Sequence, residues 1–154
     1  MKNIFTILLF FSFSVFNYAQ WLPDFQLTTD PSSSYLSYNN AHCIAVDGTV
    51  IHVTWWDGRD MDREIYYRRS TDNGVAWQQD TRLTNSDGWS EYPSIAVSGS
   101  TVHLVWMDDR DESFHPEIYY KRSTDGGINW GEDTRLTFDP SDPGIPSISV
   151  SGSD

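Results

Sequence analysis

The sequence lacks several features that would point to particular classes of protein. Its single cysteine, Cys43, leaves no partner for an internal disulfide. Basic residues are scarce, because 10 lysines and arginines stand against 22 acids and give a formal net charge of −12. A surface of this sign repels nucleic acid and anionic lipid, so neither is a predicted partner. Cys43 lies in the apolar stretch CIAV, which predicts a buried, unreactive thiol.

Long apolar runs are also missing, except at the amino-terminal end. Residues 4–16 form an apolar run that follows Lys2 and precedes the small Ala19, a pattern typical of a secretory signal peptide. A membrane anchor is the alternative, although the run is shorter than the roughly 20 residues that a spanning helix needs. We therefore predict a signal peptide over 1–19, a secreted or cell-surface protein, and no membrane insertion after cleavage.

What the sequence does contain is an internal repeat. IAVDGTVIHVTWWDGRD at 44–60 matches IAVSGSTVHLVWMDDRD at 95–111, a shift of 51 residues. EIYYRRSTDNGVAW at 64–77 matches EIYYKRSTDGGINW at 117–130, a shift of 53 residues. The two extra residues fall just before EIYY in the second unit, which marks that segment as a loop because insertions are tolerated in loops.

Each unit of about 50 residues predicts four short antiparallel strands, rich in aromatic and β-branched residues. In the second unit these strands are predicted over 94–97, 101–107, 117–123 and from about 128 into TRLT. Glycine-containing turns join the first to the second strand and the third to the fourth. Tandem four-stranded units of this length predict an all-β fold, a β-propeller with blades over 41–84 and 92–137.

Both ends of the chain predict pieces of further blades. FQLTTDPSSS is similar to TRLTFDPSDP, so we expect a leading outer strand over 21–34. PSISVSG repeats PSIAVSG, so 146–154 is predicted to start the next blade. Because a propeller ring needs at least about four blades, we expect 20–154 to be an incomplete propeller whose partners include the remaining blades of the same protein.

The motif Ser-x-Asp-x-Gly-x-x-Trp occurs between the third and fourth strands of both units. Its residues are Ser70, Asp72, Gly74 and Trp77, and then Ser123, Asp125, Gly127 and Trp130. The motif resembles the Asp box, or BNR repeat, of the sialidase superfamily, and the resemblance extends over nearly all of 21–154. It implies a sialidase-like propeller, six-bladed when complete, in which the box is structural. Physical reasoning agrees, since aspartate can accept hydrogen bonds from turn amides, glycine permits positive φ and tryptophan anchors the hairpin.

The loops at the opposite end of the predicted blades are where the sialidase resemblance implies an active site. Two of them carry Asp-x-Arg-Asp, namely Asp57, Arg59 and Asp60, and then Asp108, Arg110 and Asp111. Glycosidases use paired carboxylates, and arginine forks bind substrate carboxylates. A catalytic set is needed only once, however, so its recurrence favours a structural Asp–Arg clamp. No catalytic residue is assigned from the sequence.

Residues that the repeat does not copy are the better candidates for binding a ligand. At the loop end they are Trp56, Trp89, Glu91, Tyr92, Phe114 and His115. Exposed aromatic rings stack on sugar rings, whereas packing within the loops is the alternative for each. The acids Asp57, Asp60, Asp62 and Glu64 could instead hold Ca²⁺ through oxygen atoms. Arginines lie among these acids, so neither a metal site nor a cofactor is predicted.

Together with the predicted signal peptide, the resemblance implies an exported sialidase-like propeller that acts on or binds glycans. The resemblance implies a glycoside hydrolase of the exo-alpha-sialidase type when the protein is complete. The Arg-Ile-Pro signature of sialidases is missing, because the chain has Gly144 before Ile145 and Pro146. The alternative is a non-catalytic propeller, either a module that binds protein, glycan or cell-surface polymer or a structural part of a surface protein.

Overall fold

A computed structural model describes residues 23–38, 42–111, 115–138 and 143–152, so the predicted signal peptide lies outside the described residues. These ranges contain no helix and form two antiparallel sheets, which confirms the all-β prediction. The strands are β1 Ser34–Tyr35, β2 Ile44–Asp47, β3 Val50–Asp57, β4 Glu64–Ser70, β5 Thr81–Arg82, β6 Ser90–Ser98, β7 Thr101–Asp108, β8 Glu117–Ser123 and β9 Thr134–Arg135.

Each sheet contains one of the two sequence repeats. The first sheet has the order β1-β3-β4-β5, with β2 paired to the other half of β3, and the second has the order β6-β7-β8-β9. In the first sheet, β1 and β2 together cover the length that β6 covers alone in the second. Nine residues lie between Ser34 and Ile44, against four between Ser90 and Ile95. The extra residues interrupt the strand of the first sheet.

The strand β6 stays continuous by means of a bulge. Its register to β7 shifts between Glu91 and Ser94, and Tyr92 within the bulge has a φ of 53°. A positive φ is uncommon for a residue with a side chain and costs free energy, so the rest of the sheet must hold Tyr92 in place. The bulge re-aims the side chains next to it, as bulges at the ends of sheets commonly do.

The fourth strands are shorter than predicted. Only Thr81–Arg82 and Thr134–Arg135 pair with β4 and β8. We call each of the segments 70–77 and 123–130 an SDGW turn. After this turn the chain leaves the hydrogen-bonded ladder before the fourth strand begins. In the second sheet this segment carries Asp133, which forms an ion pair with Arg110 at 2.7 Å. Within the described ranges, no strand is assigned to 23–33 or to 143–152.

The two sheets pack face to face around one hydrophobic core. Trp56, Ile65 and Tyr67 of the first sheet meet Leu104 and Trp106 of the second. Backbone hydrogen bonds also cross between the sheets, since Ile95 N donates to His42 O at 2.7 Å. Burying each of these large side chains contributes about 1.5–3 kcal/mol, so the junction is a major source of stability.

The SDGW turns close on themselves through their own side chains. Gly74 N donates to Ser70 Oγ at 2.9 Å, and Ala76 N donates to Asp72 Oδ1 at 2.8 Å. The backbone hydrogen bond from Ala76 lowers the pKa of Asp72. The second turn repeats the first of these contacts at 2.9 Å, and Gly74 and Gly127 have φ of 84° and 83°, which only glycine adopts without strain.

The second SDGW turn also contacts the neighbouring sheet. Trp130 lies edge-on to Tyr67, with 5.2 Å between ring centroids. A side chain added at Gly127 would come within 2.9 Å of Tyr67 Cζ, so glycine is required there for close approach as well as for φ. These contacts account for the motif as a structural element of the described fold.

Candidate functional site

The loop end of the molecule, where β3 leads into β4 and β7 leads into β8, carries the two Asp-x-Arg-Asp segments. Asp57 is buried and pairs with Arg59 at 2.6 Å, while the Trp55 indole N–H donates to it at 2.9 Å. Arg59 reaches on to Asp80 at 2.8 Å. The first Asp and Arg of this motif are therefore used within their own sheet.

The second sheet repeats this arrangement. Asp108 is buried, pairs with Arg110 at 2.6 Å and accepts the Trp106 indole N–H at 2.8 Å. Burial acts to raise the pKa of Asp108, but hydrogen bonds from Arg110, Trp106 and Ser90 outweigh it and hold that pKa below its ordinary value. The carboxylate is thus kept anionic as one half of an internal ion pair.

The last acid of each motif contacts a tyrosine of the next strand. Asp60 accepts a hydrogen bond from the Tyr66 hydroxyl, and the Arg59 guanidinium lies 4.1 Å from the centre of the Tyr66 ring. Asp111 and Tyr119 form the same pair in the second sheet. Burial, followed by the hydrogen bond to Asp60, raises the pKa of Tyr66. This tyrosine is therefore a poor source of phenolate.

Glu64, one of the acids considered for Ca²⁺, binds Arg82 and Thr84. Asp60 lies 3.1 Å from the same arginine. In the part of the chain that the structure describes, no group of three or more His, Cys, Asp and Glu side chains is placed to hold a metal ion.

Four of the side chains that the repeat does not copy come together at the loop end. The Arg63 guanidinium carbon lies 3.9 Å from the Trp89 ring centre and 5.1 Å from that of Trp56. Arg63 also pairs with Glu91 at 2.5 Å. Burial of Glu91 raises its pKa, against the opposing effect of Arg63. We call Trp56, Arg63, Trp89 and Glu91 the Arg63 cluster.

Further aromatic rings extend this cluster. Tyr35 stacks on Trp56 with 4.3 Å between ring centroids, and Tyr92 meets Trp56 edge-on at 6.3 Å. Tyr38 follows at 5.5 Å from Tyr92. The Trp56 indole N–H is buried and has no acceptor among the described residues.

Two cavities adjoin the Arg63 cluster. The first, which we call the aromatic cavity, has a volume of about 390 Å³ and is lined by Ser32, Ser33, Tyr35, Trp56, Gly58 and Arg63. The second, the acidic cavity, has a volume of about 290 Å³ and is lined by Asp87, Gly88, Trp89 and Asp109. A third, apolar groove of about 250 Å³ lies on the outer face of the first sheet, lined by Leu27, Thr28, Ser34, Tyr35, Leu36, Val53 and Trp55.

The structure thus brings together Trp56, Trp89, Glu91 and Tyr92 from the sequence candidates. His115 is exposed, and no hydrogen bond or ring contact joins it to the cluster among the described residues. Phe114 lies outside the described residues. Sequence reasoning missed Arg63 and Tyr35. Arg63 could have been found, because the repeat places Pro116 at its position.

Cys43 is buried, as predicted, and burial raises the pKa of its thiol. Within the described ranges, no helix has the length and hydropathy needed to cross a membrane. No protein-family model matches the chain, and no curated protein matches it either.

Proposed function

We propose that this chain forms part of a sialidase-like β-propeller and binds glycans at the Arg63 cluster. One observation carries the proposal: four side chains that the repeat does not copy gather at one place beside two cavities. The repeated acids and arginines, by contrast, are engaged with one another inside each sheet. A ligand-binding site is needed only once per molecule, so we expect it among the residues that the repeat does not copy.

The propeller part of the proposal rests on how the sheets stack. Lys121 of the second sheet donates to Leu83 O of the first at 2.6 Å, and Arg68 of the first sheet donates to Leu27 O at 2.6 Å. The carbonyl of Leu27 therefore accepts a hydrogen bond from the first sheet in the same way that the carbonyl of Leu83 accepts one from the second sheet. We take this as support for the prediction that the segment before β1 belongs to a neighbouring blade, although 23–33 is not assigned as a strand.

The carboxyl-terminal described segment supports the same stacking. Ile148 N donates to Ser94 Oγ at 3.1 Å, and Ser98 Oγ donates to Gly152 O at 2.6 Å. Residues 143–152 thus lie along β6 much as β6 lies along β2. Successive blades of a propeller pack on one another in the same way, so this contact supports a third unit after the second.

Glycan binding is favoured by the exposure and chemistry of the cluster. Trp89 is 47% exposed and Tyr35 is 40% exposed, so both offer apolar ring surface to a ligand. Ser32, Ser33 and Arg63 line the aromatic cavity together with Tyr35. Sites for polar ligands commonly combine aromatic walls with a few polar groups in this way.

Hydrolysis of sialosides is the second candidate, and the Tyr66–Asp60 pair with Arg59 over its ring favours it. Sialidases, by resemblance, use a tyrosine with an acidic partner. Two observations weigh against this function. The same trio recurs as Tyr119, Asp111 and Arg110, and the pKa of both tyrosines is raised chiefly by burial. We therefore propose binding without hydrolysis by these residues.

Screening the purified chain on a glycan array, before and after Trp89→Ala, tests the proposal. We expect specific glycan binding that weakens by about tenfold or more in the variant, which corresponds to about 1.4 kcal/mol. Phe138→Ala is the matched control, because Phe138 is an exposed ring beneath Arg135 at 4.9 Å but lies outside the cluster.

A parallel assay with a fluorogenic sialic acid glycoside separates the two candidates. We expect no turnover. Turnover that disappears in a folded Arg59→Ala/Arg110→Ala variant would instead favour the hydrolase. Equal glycan binding by the wild type, Trp89→Ala and Phe138→Ala would show that the Arg63 cluster is not the binding site.

A further inference from the structure

We infer that the ligand is a neutral oligosaccharide of at least two sugar units, which lies across both the aromatic and the acidic cavity. The inference rests on the proposed glycan-binding function and specifies its ligand class. It depends on three observations: the two cavities share a wall, the acidic cavity is held open by fixed contacts, and the charges around the site disfavour an acidic ligand.

The shared wall is the stack of Arg63 and Trp89. Arg63 lines the aromatic cavity, Trp89 lines the acidic cavity, and the guanidinium lies 3.9 Å from the Trp89 ring centre. Each cavity is near the lower end of the ~300–1,000 Å³ that small-molecule sites occupy. A ligand that passes over this stack therefore contacts both cavities, and a single sugar ring would use only one.

The acidic cavity is held by contacts that only glycine permits. A Cβ atom at Gly88 would lie 2.6 Å from Arg110 N, so any other residue would force the loop away. Trp89 N donates to Asp109 Oδ1 at 2.5 Å, and Asp109 N donates to Trp89 O at 3.2 Å. These bonds fix the loop around Gly88 against the start of the next loop and keep the cavity in one shape.

The charges at the site disfavour an acidic sugar. Asp87 and Asp109 line the acidic cavity, and the charge of Arg63 is already balanced by Glu91 at 2.5 Å. The site therefore contains three carboxylates and one guanidinium, and the chain as a whole has a formal net charge of −12. Sugar hydroxyls can donate hydrogen bonds to these carboxylates, whereas a carboxylated or sulfated sugar would be repelled.

A glycan array with neutral and acidic glycans of one to six units tests the inference, followed by calorimetric titration of the glycans that bind. We expect neutral glycans of two or more units to bind, and the matching monosaccharides to bind at least about tenfold more weakly. Because a neutral ligand exchanges no ion pairs, we expect affinities to be the same in low and high salt.

Gly88→Ala gives the structural test. We expect it to weaken oligosaccharide binding by about tenfold or more, and to weaken monosaccharide binding by a smaller factor. Gly131→Ala is the control, because its added Cβ would approach only Arg122 O, at 3.4 Å. Should Gly88→Ala fail to fold, Asp87→Asn takes its place: because it removes one of the three carboxylates, we expect acidic glycans to bind it better than they bind wild type.

The outcomes separate the inference from the function on which it rests. Binding that requires a carboxylate or sulfate, or monosaccharides that bind as tightly as longer glycans, would overturn the inference and keep glycan binding. Oligosaccharide binding that is unchanged in a folded Gly88→Ala variant would also overturn it, as would acidic glycans that bind Asp87→Asn no better than they bind wild type. Binding to no glycan on the array would overturn both the inference and the proposed function.

Discussion

Ile44 in the first sheet and Ile95 in the second occupy the same position of the repeat, yet Ile44 is 58% exposed and Ile95 is 0% exposed. Val53 and Trp55 of the first sheet correspond to Leu104 and Trp106 of the second, and all four are buried, but Val53 and Trp55 line the apolar groove. In the second sheet the corresponding side chains are covered by the first sheet. The comparison teaches that both repeats build the same apolar sheet face. A neighbouring sheet covers that face in the second repeat, and the described residues place no sheet over it in the first.

The largest expected effect comes from breaking the clamp that both sheets share. Replacing Asp57 with Asn removes the buried carboxylate that binds both Arg59 and the Trp55 indole, and leaves Arg59 with Asp80 alone, so we expect a loss of about 3–5 kcal/mol in the free energy of unfolding. Asp108→Asn should cost the same to within about 1 kcal/mol. Chemical denaturation followed by tryptophan fluorescence measures both variants. A loss confined to one of the two would contradict the equivalence of the clamps.

The next effect sharpens the contrast between the covered and the uncovered face. We expect Ile95→Ala to lower the free energy of unfolding by about 2–5 kcal/mol, because it leaves a cavity in the core. The same change at Ile44 should cost less than about 1 kcal/mol, since that side chain is mostly exposed.

Thermal unfolding of both isoleucine variants at several protein concentrations provides the measurement. Equal losses, or a loss at Ile44 that grows with protein concentration, would mean that the outer face of the first sheet is covered in solution.

The smallest effect concerns pH. His52 is buried against the Tyr67 hydroxyl at 2.6 Å, and burial lowers the pKa of His52 from 6.5 to about 4. The unfolded chain therefore takes up a proton at a higher pH than the folded chain. Stability should be constant above about pH 6.5 and fall as the pH drops toward 4, by up to about 3 kcal/mol.

Denaturation at a series of pH values measures this loss, and His52→Gln should remove it. A wild-type profile that is flat between pH 4 and 6.5 would contradict the prediction.

Much of the fold follows from the repeat alone. The shifts of 51 and 53 residues aligned the strands, and β8 begins at Glu117 and ends at Ser123 as predicted. The interrupted strand of the first sheet was not predicted, because the pairing of Ser34 with Asp57 depends on how the intervening residues leave the sheet. The fourth strands were predicted too long, since Asp133 binds Arg110 across the sheet.

The candidate site was predicted in part. The sequence selected Trp56, Trp89, Glu91 and Tyr92 as residues that the repeat does not copy, and the structure groups them. The sequence did not select Arg63 as a ligand-site residue, because it lies in an acid-rich segment whose repeated Asp-x-Arg-Asp motif indicates a structural clamp. Its contacts with Trp89 and Glu91 join two different sheets, and such contacts between distant parts of a chain leave no local pattern in the sequence.

The buried position of Cys43 makes the junction between the sheets directly observable. Its Sγ lies 3.4 Å from Pro93 O, across the boundary between the first and second sheets. Cys43 is the only thiol in the chain, so a thiol-specific reagent can react only when that boundary opens. The rate at which Cys43 is labelled in native buffer would therefore measure how often the two repeats separate. No engineered cysteine is needed for this measurement.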